Sequence, residues 1–244
     1  MGLGYRVPSS ECCTGVHELV ELAAAAGRLG FDSVWAGEHL FPSSYIAERL
    51  ATRPYYEPLT ILTAVASVTS KVRLGTSVLV LPWHDPPRLG KTVATLDHLS
   101  NGRVSLGIGV AMTEDEFENL GVDFKTRGKR TDDLLGALKA LWTEETPEYS
   151  GPFYSYSGQK FSPKPKQSPY PPILVGGSSP AAMRRIVQYG DGWHTLRQSP
   201  DEVAAGPAKL RSMMADAGRD PAVRKISISV PSRVGAAHSP RPAT

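Results

Sequence analysis

His39 is the first side chain whose type and position suit proton transfer. It follows the apolar run Asp32–Ala36, which has the composition of a short strand, and it stands next to Glu38. Because imidazole changes its charge near neutral pH, a histidine at a strand end can move a proton or hydrogen-bond to a cofactor ring. A histidine that only fixes the following loop would give the same pattern, so the sequence leaves both interpretations open.

A second candidate is a glycine-rich turn, which consists of Gly176, Gly177, Ser178 and Ser179. It follows the apolar run Ile173–Val175 and precedes a helix that begins at Pro180 with Ser179 as its N-cap. Glycines allow a ligand to approach the backbone, and a helix N-terminus offers free N–H groups and a positive dipole end to a phosphate. A plain strand-to-helix turn would need glycine for its dihedral angles alone, so both interpretations stand.

The segment Val72–Ala111 is the organising unit of the chain. An apolar strand is followed by a helix capped by Asp85 and ended by Asn101-Gly102, and then by a second strand at Val104–Ile108. Strand, helix and strand with short connections predict a parallel βαβ unit. Small residues end both strands, and ligands of parallel α/β folds bind at such strand ends.

Other chemical motifs are weak. Gly107-Ile108-Gly109 lacks the third glycine of a dinucleotide fingerprint, because Met112 stands in its place. Three further histidines lack the spacing of metal ligands, so we predict no metal site. We interpret these histidines as surface or core residues; they are His84, His98 and His194.

The elements between these residues predict one α/β domain. Seven short strands, near residues 4, 33, 74, 106, 174, 193 and 227, alternate with amphipathic helices, which indicates a parallel sheet. The fold class is therefore a TIM-type (β/α)8 barrel whose eighth strand and last helix are not recognisable. We expect one domain over residues 1–230, a hairpin insertion near 148–161 and a flexible tail over 231–244. Capping boxes are predicted at Thr113 with Glu116 and at Ser199 with Glu202.

Composition excludes several classes of partner. A net charge of +3 with scattered Lys and Arg gives no nucleic-acid surface. No apolar run approaches the roughly 18 residues of a membrane span, and no signal sequence opens the chain. The two cysteines, Cys12 and Cys13, are adjacent and predict no disulfide framework, so we expect a cytoplasmic protein.

Several stretches together resemble the luciferase-like monooxygenase superfamily, the TIM barrels of the bacterial luciferase type. The resemblance is in particular to the actinobacterial branch that uses the deazaflavin coenzyme F420. The stretches that carry it are Gly30–His39, Glu57–Pro82, Ala94–Val110, Glu114–Trp142 and Pro171–His194. Relatives that use flavin share most of these motifs, so FMN is the alternative cofactor.

The resemblance assigns roles to individual residues. It implies a non-prolyl cis peptide between Ser77 and Val78, behind the central ring of the cofactor, and places His39 beside that ring. It implies that the turn Gly176–Ser179 binds the cofactor phosphate. The strand end that includes Gly107, Gly109 and Ala111 would lie beside the ring and its ribityl chain. Some relatives have a catalytic glutamate at the position of Val110–Met112, which this chain lacks; Glu114 and Asp115 are the nearest acids.

The resemblance implies hydride transfer between F420 and a small organic substrate, in a homodimer. The long polar loop from Phe41 to Tyr56 would cover the substrate side. Two alternatives remain open at this point. One is an FMN-dependent monooxygenase, and the other is a non-catalytic cofactor-binding protein with a degenerate barrel.

Overall fold

We describe a computed structural model of the chain, and the description covers residues 2–8, 15–41, 54–196, 198–220 and 225–229. The parallel strands are β1 Gly4–Arg6, β2 Ser33–Ala36, β3 Arg73–Thr76, β4 Leu79–Val80, β5 Val104–Gly109, β8 Ile173–Gly176, β9 Gly192–Leu196 and β10 Lys225–Ser229. Seven of them form one curved sheet in the order β1, β2, β3, β5, β8, β9 and β10, and the short strand β4 also pairs with β5. The seven predicted strands are therefore confirmed.

Helices follow most of these strands and cover the outer face of the sheet. Their bounds are α1 Val16–Arg28, α2 Pro58–Val68, α3 Pro86–Leu99, α4 Glu114–Asn119, α5 Arg127–Thr143, α6 Pro180–Tyr189 and α7 Pro200–Asp216. The predicted N-caps of three helices are present, because side chains of Asp85, Ser179 and Ser199 accept backbone N–H groups of the first turn. No helix in the described ranges has the length and apolar character needed to cross a bilayer.

The barrel is incomplete. Strand β1 pairs only with β2, and β10 pairs only with β9, so among the described residues no strand joins the two edges of the sheet. Ile226 and Ile228 on the β10 edge are 39% and 50% exposed. The expectation of a TIM-type barrel without a recognisable eighth strand agrees with this arrangement.

The inside of the curved sheet is filled by an aromatic stack. The indole of Trp35 on β2 lies parallel to the imidazole of His194 on β9, with ring centroids 5.2 Å apart. These strands are not neighbours in the sheet, so the stack spans the inside of the barrel. Gly75 on β3 makes room for the indole, since a Cβ there would lie 2.2 Å from a Trp35 ring carbon.

A buried arginine connects the amino ends of β3 and β5 to α2. Arg103 is 8% exposed, and its guanidinium donates to the carbonyls of Ala66, Thr69, Val72 and Ser100. These carbonyls belong to the end of α2, the segment before β3 and the end of α3. One charged side chain thus satisfies backbone acceptors that the connections between these elements would otherwise bury unpaired.

The predicted hairpin is present as β6 Tyr149–Ser150 and β7 Ser155–Tyr156, which pair antiparallel. It packs on α5 through two tyrosine hydroxyls, because Tyr149 donates to Asp133 and Tyr156 donates to the carbonyl of Ala137. Residues 42–53, most of the predicted lid, lie outside the described ranges. The cysteine pair and the predicted tail over 231–244 lie outside them as well.

Candidate active site at the strand ends

The carboxyl ends of five neighbouring strands, β2, β3, β5, β8 and β9, lie together at one end of the incomplete barrel. We call the opening that these strand ends surround the mouth. Register aligns Ala36 with Thr76, and Ile108 with Val175. It also aligns Gly176 with His194, which places the start of the glycine-rich turn beside β9. The candidate residues after β2, β3, β5 and β8 therefore lie around a single mouth, as the sequence predicts from the small residues at these ends.

The chain breaks its β structure between β3 and β4 at residues 77 and 78. The Ser77–Val78 peptide bond is cis, which agrees with the expectation from the family resemblance. Ser77 is buried and Val78 is half-buried. The hydroxyl of Thr76 donates to the carbonyl of Gly107 over 2.7 Å, which ties this segment to the adjacent strand β5.

The glycines of β5 and β8 leave room for this segment. A Cβ at Gly107 would lie 2.0 Å from the carbonyl oxygen of Thr76, and one at Gly109 would lie 2.6 Å from Cγ2 of Val78. A Cβ at Gly176 would be 2.8 Å from the carbonyl oxygen of Ile108. Side chains at Gly107 and Gly109 would collide with residues 76 and 78, so these two glycines allow that segment to lie at the mouth. The contacts of the three glycines with a cofactor stay a prediction.

His39 is held by a carboxylate from α4. Its Nδ1 lies 3.0 Å from Oε2 of Glu116. Its ring and that of Tyr55 pack in an edge-to-face arrangement, with ring centroids 5.2 Å apart. The His39 side chain is 26% exposed, whereas that of Glu116 is fully buried. One imidazole nitrogen is thus engaged inside the protein while the ring still reaches the surface of the mouth.

Glu116 does not form the predicted capping box with Thr113. The Thr113 side chain caps no backbone N–H group, and its hydroxyl instead donates to Oε2 of Glu116 over 2.8 Å. The other carboxylate oxygen accepts the backbone N–H groups of Leu40 and Phe41. The prediction was wrong because the glutamate turns away from its own helix N-terminus toward the end of β2.

The hydrogen bonds keep this buried carboxylate ionised. Burial by itself would raise the pKa of Glu116, but hydrogen bonds from His39, Thr113 and the Phe41 N–H outweigh it and lower that pKa below its ordinary value. An ionised carboxylate only accepts hydrogen bonds, and the Thr113 hydroxyl and the backbone N–H groups of Leu40 and Phe41 all donate to it.

Glu38 forms a second buried carboxylate–imidazole pair, directed away from His39. It accepts the backbone N–H of Val80 over 2.5 Å and lies 2.9 Å from Nε2 of His84. Burial opposes protonation of His84, but Glu38 outweighs it and raises the pKa of the imidazole. The pair joins the end of β2 to the segment after β4.

His194 lies beneath the mouth. Its Nε2 is 2.9 Å from Oγ of Ser77, and its Nδ1 is buried without a hydrogen-bond partner in the described part of the chain. Burial, together with the nearby charge of Arg6, lowers the pKa of His194 to about 4, so the imidazole is neutral at physiological pH. Sequence spacing gave no sign of this contact, since the two residues are 117 positions apart.

The turn after β8 leads directly into the N-terminus of a helix. Gly177 has φ +95°, a conformation that favours glycine, and the chain then enters the ten-residue helix α6. Ser178 and Ser179 are exposed. The Ser179 hydroxyl accepts the N–H of Ala182, and Gln198 donates to the hydroxyl of Ser178 over 3.1 Å.

The rim of the mouth is largely apolar. Leu40, Phe41 and Met112 are 44%, 40% and 81% exposed. Ala111 stands at the end of β5 with φ +61°, the left-handed region, and turns the chain toward α4. The position of the glutamate found in some relatives thus holds small or apolar residues.

The sequence located part of this site and missed several of its residues. The candidates after β2, β3, β5 and β8 do converge, and their roles toward a cofactor remain predictions. Glu116, Tyr55 and His194 were missed as site residues, since each reaches the mouth through a tertiary contact. No cluster of three or more His, Cys, Asp or Glu side chains within the described ranges could hold a metal ion.

The luciferase-like monooxygenase family model matches residues 4–243. The chain belongs to this family. An uncharacterised protein of Mycobacterium tuberculosis is 38% identical over 176 residues, which make up 71% of this chain and 61% of that relative. The oxygenase component of the flavin-dependent trigonelline monooxygenase of Acinetobacter baylyi is 33% identical over 175 residues, 71% of this chain and 46% of that relative. This family member thus spans about three fifths or less of the length of these two relatives.

Solved structures have the same fold as this luciferase-like chain. The monooxygenase RslO1 from Streptomyces bottropensis superposes with a TM-score of 0.80 at 27% identity, covering 93% of this chain and 70% of that one. An F420-dependent secondary alcohol dehydrogenase, in complex with an F420–acetone adduct, gives a TM-score of 0.81 at 21% identity, covering 93% of this chain and 68% of that one. At this low identity, the likeness to the dehydrogenase shows that the fold is shared and nothing further.

Proposed function

We propose that this luciferase-like oxidoreductase transfers a hydride between the deazaflavin coenzyme F420 and a small organic substrate at the mouth formed by the strand ends. The observation that carries the proposal is His39, which is held by a buried carboxylate on the same rim as the glycine-rich turn before α6. Removal of a hydride from an alcohol carbon leaves one proton on the oxygen, and a single imidazole can accept it.

The residues at the mouth fit a phosphorylated ring system. The turn Gly177–Ser179 and the N-terminus of α6 offer N–H groups, a hydroxyl and a positive dipole end to a phosphate. The buried Nδ1 of His194, which lies beneath the mouth on β9, lacks a hydrogen-bond partner within the described ranges and can accommodate a polar group. Val78 and Ala111 supply apolar contacts on the neighbouring strands.

Each part of the site then has a task. The coenzyme, when bound, supplies the atom that accepts or donates the hydride. The turn before α6 anchors its phosphate, residues 77 and 78 support the ring, and His39 takes the substrate proton through Nε2. The apolar rim excludes water from the reacting atoms.

A flavin-dependent monooxygenase is the second candidate. It is favoured by curated relatives, because the trigonelline monooxygenase is 33% identical and an FMNH2-dependent dimethylsulfone monooxygenase of Pseudomonas putida is 29% identical. The F420-dependent dehydrogenase, at 21%, is more distant in sequence. The same strand ends would then hold FMN in its reduced form, which would supply the two electrons, and oxygen would be the co-substrate.

Binding and turnover of the purified protein separate these candidates. F420 and FMN are titrated separately and fluorescence is followed. A panel of alcohols and carbonyl compounds is then tested with F420 in the absence of oxygen, and with reduced FMN in the presence of oxygen. We expect saturable F420 binding and substrate-dependent reduction or oxidation of F420. Saturable binding of FMN alone, with oxygen consumption, would overturn the proposal, and binding without any turnover would indicate a non-catalytic protein.

A histidine pair provides the matched test of the proton step. His39→Gln should lower kcat by a factor on the order of 10²–10⁴ while F420 binding is retained, because general acid–base catalysis contributes about that much. His98→Gln is the control, since His98 is exposed and its side chain hydrogen-bonds to the Lys164 carbonyl, outside the candidate site. Equal activity of both variants would remove His39 from the mechanism.

A further inference from the structure

We infer that Glu116 is a positioning residue that fixes the tautomer of His39, so that Nδ1 carries the hydrogen and Nε2 is the proton acceptor at the mouth. The inference deepens the proposed function, because it rests on that function for the proton that His39 receives. Its geometric content concerns only residues of this chain.

The hydrogen bonds around the carboxylate leave one assignment. Oε1 accepts the N–H groups of Leu40 and Phe41 at 3.0 and 3.2 Å, and backbone N–H groups can only donate. Oε2 accepts the Thr113 hydroxyl at 2.8 Å and faces Nδ1 of His39 at 3.0 Å. An ionised carboxylate has no hydrogen to give, so Nδ1 must donate and the neutral ring carries its lone pair on Nε2.

The same contacts hold the ring and its loop together. His39, Leu40 and Phe41 are consecutive residues after β2, and all three bind one carboxylate from α4. Glu116 therefore sets the path of the chain beyond the strand and the orientation of the imidazole at once. Tyr55 packs against the ring in an edge-to-face arrangement.

An isosteric substitution tests the tautomer directly. In Glu116→Gln the amide oxygen must stay with the two backbone N–H groups, because an NH2 group there would face two donors. The NH2 group then faces His39 and becomes the donor to Nδ1. The substitution should therefore move the hydrogen of the neutral imidazole from Nδ1 to Nε2, without a change in side-chain size.

The tautomer is read by long-range 1H–15N correlation spectra of 15N-histidine-labelled full-length protein above the pH at which His39 is protonated, with the signals assigned from His39→Gln. We expect a pyrrole-type Nδ1 and a pyridine-type Nε2 in the wild type, the reverse in Glu116→Gln, and no change in Glu118→Gln. Glu118 is an exposed carboxylate on the same helix and controls for the loss of charge.

Two results overturn the inference. One is a wild-type His39 with its hydrogen on Nε2, which decides the matter even if Glu116→Gln does not fold. The other is a folded Glu116→Gln protein with an unchanged tautomer. With an active preparation, the double variant Glu116→Gln/His39→Gln should lose no more kcat than His39→Gln alone, because the glutamate acts through the histidine. A tautomer switch in a protein that turns over neither F420 nor FMN leaves the inference standing and rejects the proposed function.

Discussion

Nε2 of His194 on β9 lies 2.9 Å from Oγ of Ser77, the residue that follows β3 where the chain turns along the mouth. Both side chains are buried, and the imidazole also stacks on Trp35 across the inside of the sheet. This contact links the aromatic interior of the sheet to the segment at residues 77 and 78. A protonated imidazole in this place would put a charge inside the barrel near Arg6.

The first prediction concerns acid stability. The pKa of His194 falls from its ordinary 6.5 to about 4 in the folded protein, mainly through burial. Above pH 6.5 His194 is neutral in both the folded and the unfolded protein, so it does not lower the free energy of unfolding. As the pH falls from 6.5 toward 4, the unfolded chain takes up the proton first and the free energy of unfolding decreases. The shift in pKa corresponds to a loss of about 3 kcal/mol. Urea unfolding at pH 7 and pH 4 should show His194→Gln losing about that much less than the wild type, whereas equal losses would contradict the assignment.

The second prediction concerns the packing of β5 against residue 76. Gly107→Ala should destabilise the protein by at least about 3 kcal/mol, more than ordinary overpacking, because the clash is with backbone. The new Cβ would lie 2.0 Å from the Thr76 carbonyl oxygen. Gly27→Ala in α1 is the control, since its Cβ would meet Val72 at an ordinary 3.5 Å, and it should gain up to about 1 kcal/mol from helix propensity. Similar unfolding midpoints for both variants would refute this reading of Gly107.

The strands, the helices and the parallel character of the sheet were predictable from the sequence because they depend on local patterns. Each strand is a short apolar run between turn residues, and the helices carry N-caps such as Asp85 and Ser179 that act within their own first turn. The alternation of the two element types then dictates a parallel sheet. The positions of His39 and of the turn before α6 at strand ends follow from the same local information.

The partners of the site residues could not be predicted in this way. Glu116 reaches His39 across 77 positions, and a Thr113–Glu116 spacing that is typical of a capping box pointed to a different, local role. The role of Gly107 depends on the carbonyl of Thr76 in the adjacent strand. Such contacts are set by sheet register and curvature, which a single sequence does not encode as a local pattern.

The third prediction concerns the buried guanidinium of Arg103. Arg103→Met keeps most of the side-chain volume but leaves the carbonyls of Ala66, Val72 and Ser100 without their donor. Because a hydrogen bond to a charged group contributes about 1.5–3 kcal/mol, the loss of several should cost at least about 3 kcal/mol. Arg88→Met, at an exposed residue of α3, should change the free energy of unfolding by less than about 0.5 kcal/mol. A stability loss in Arg103→Met no larger than in this control would show that water replaces the guanidinium at little cost.

The fourth prediction separates backbone conformation from ligand binding at the turn before α6. Gly177→Ala should lower F420 affinity about tenfold, because the left-handed side of φ costs an alanine about 1–2 kcal/mol and the turn relaxes away from the anion site. Space is not the cause, since the nearest atom to the new Cβ would be Cβ of Ala182 at 3.5 Å. Gly121→Ala has the same sign of φ, at +66°, and nothing within 4 Å, so it should lose similar stability and no affinity. Equal affinity in both variants, measured by fluorescence titration, would place the coenzyme phosphate away from this turn.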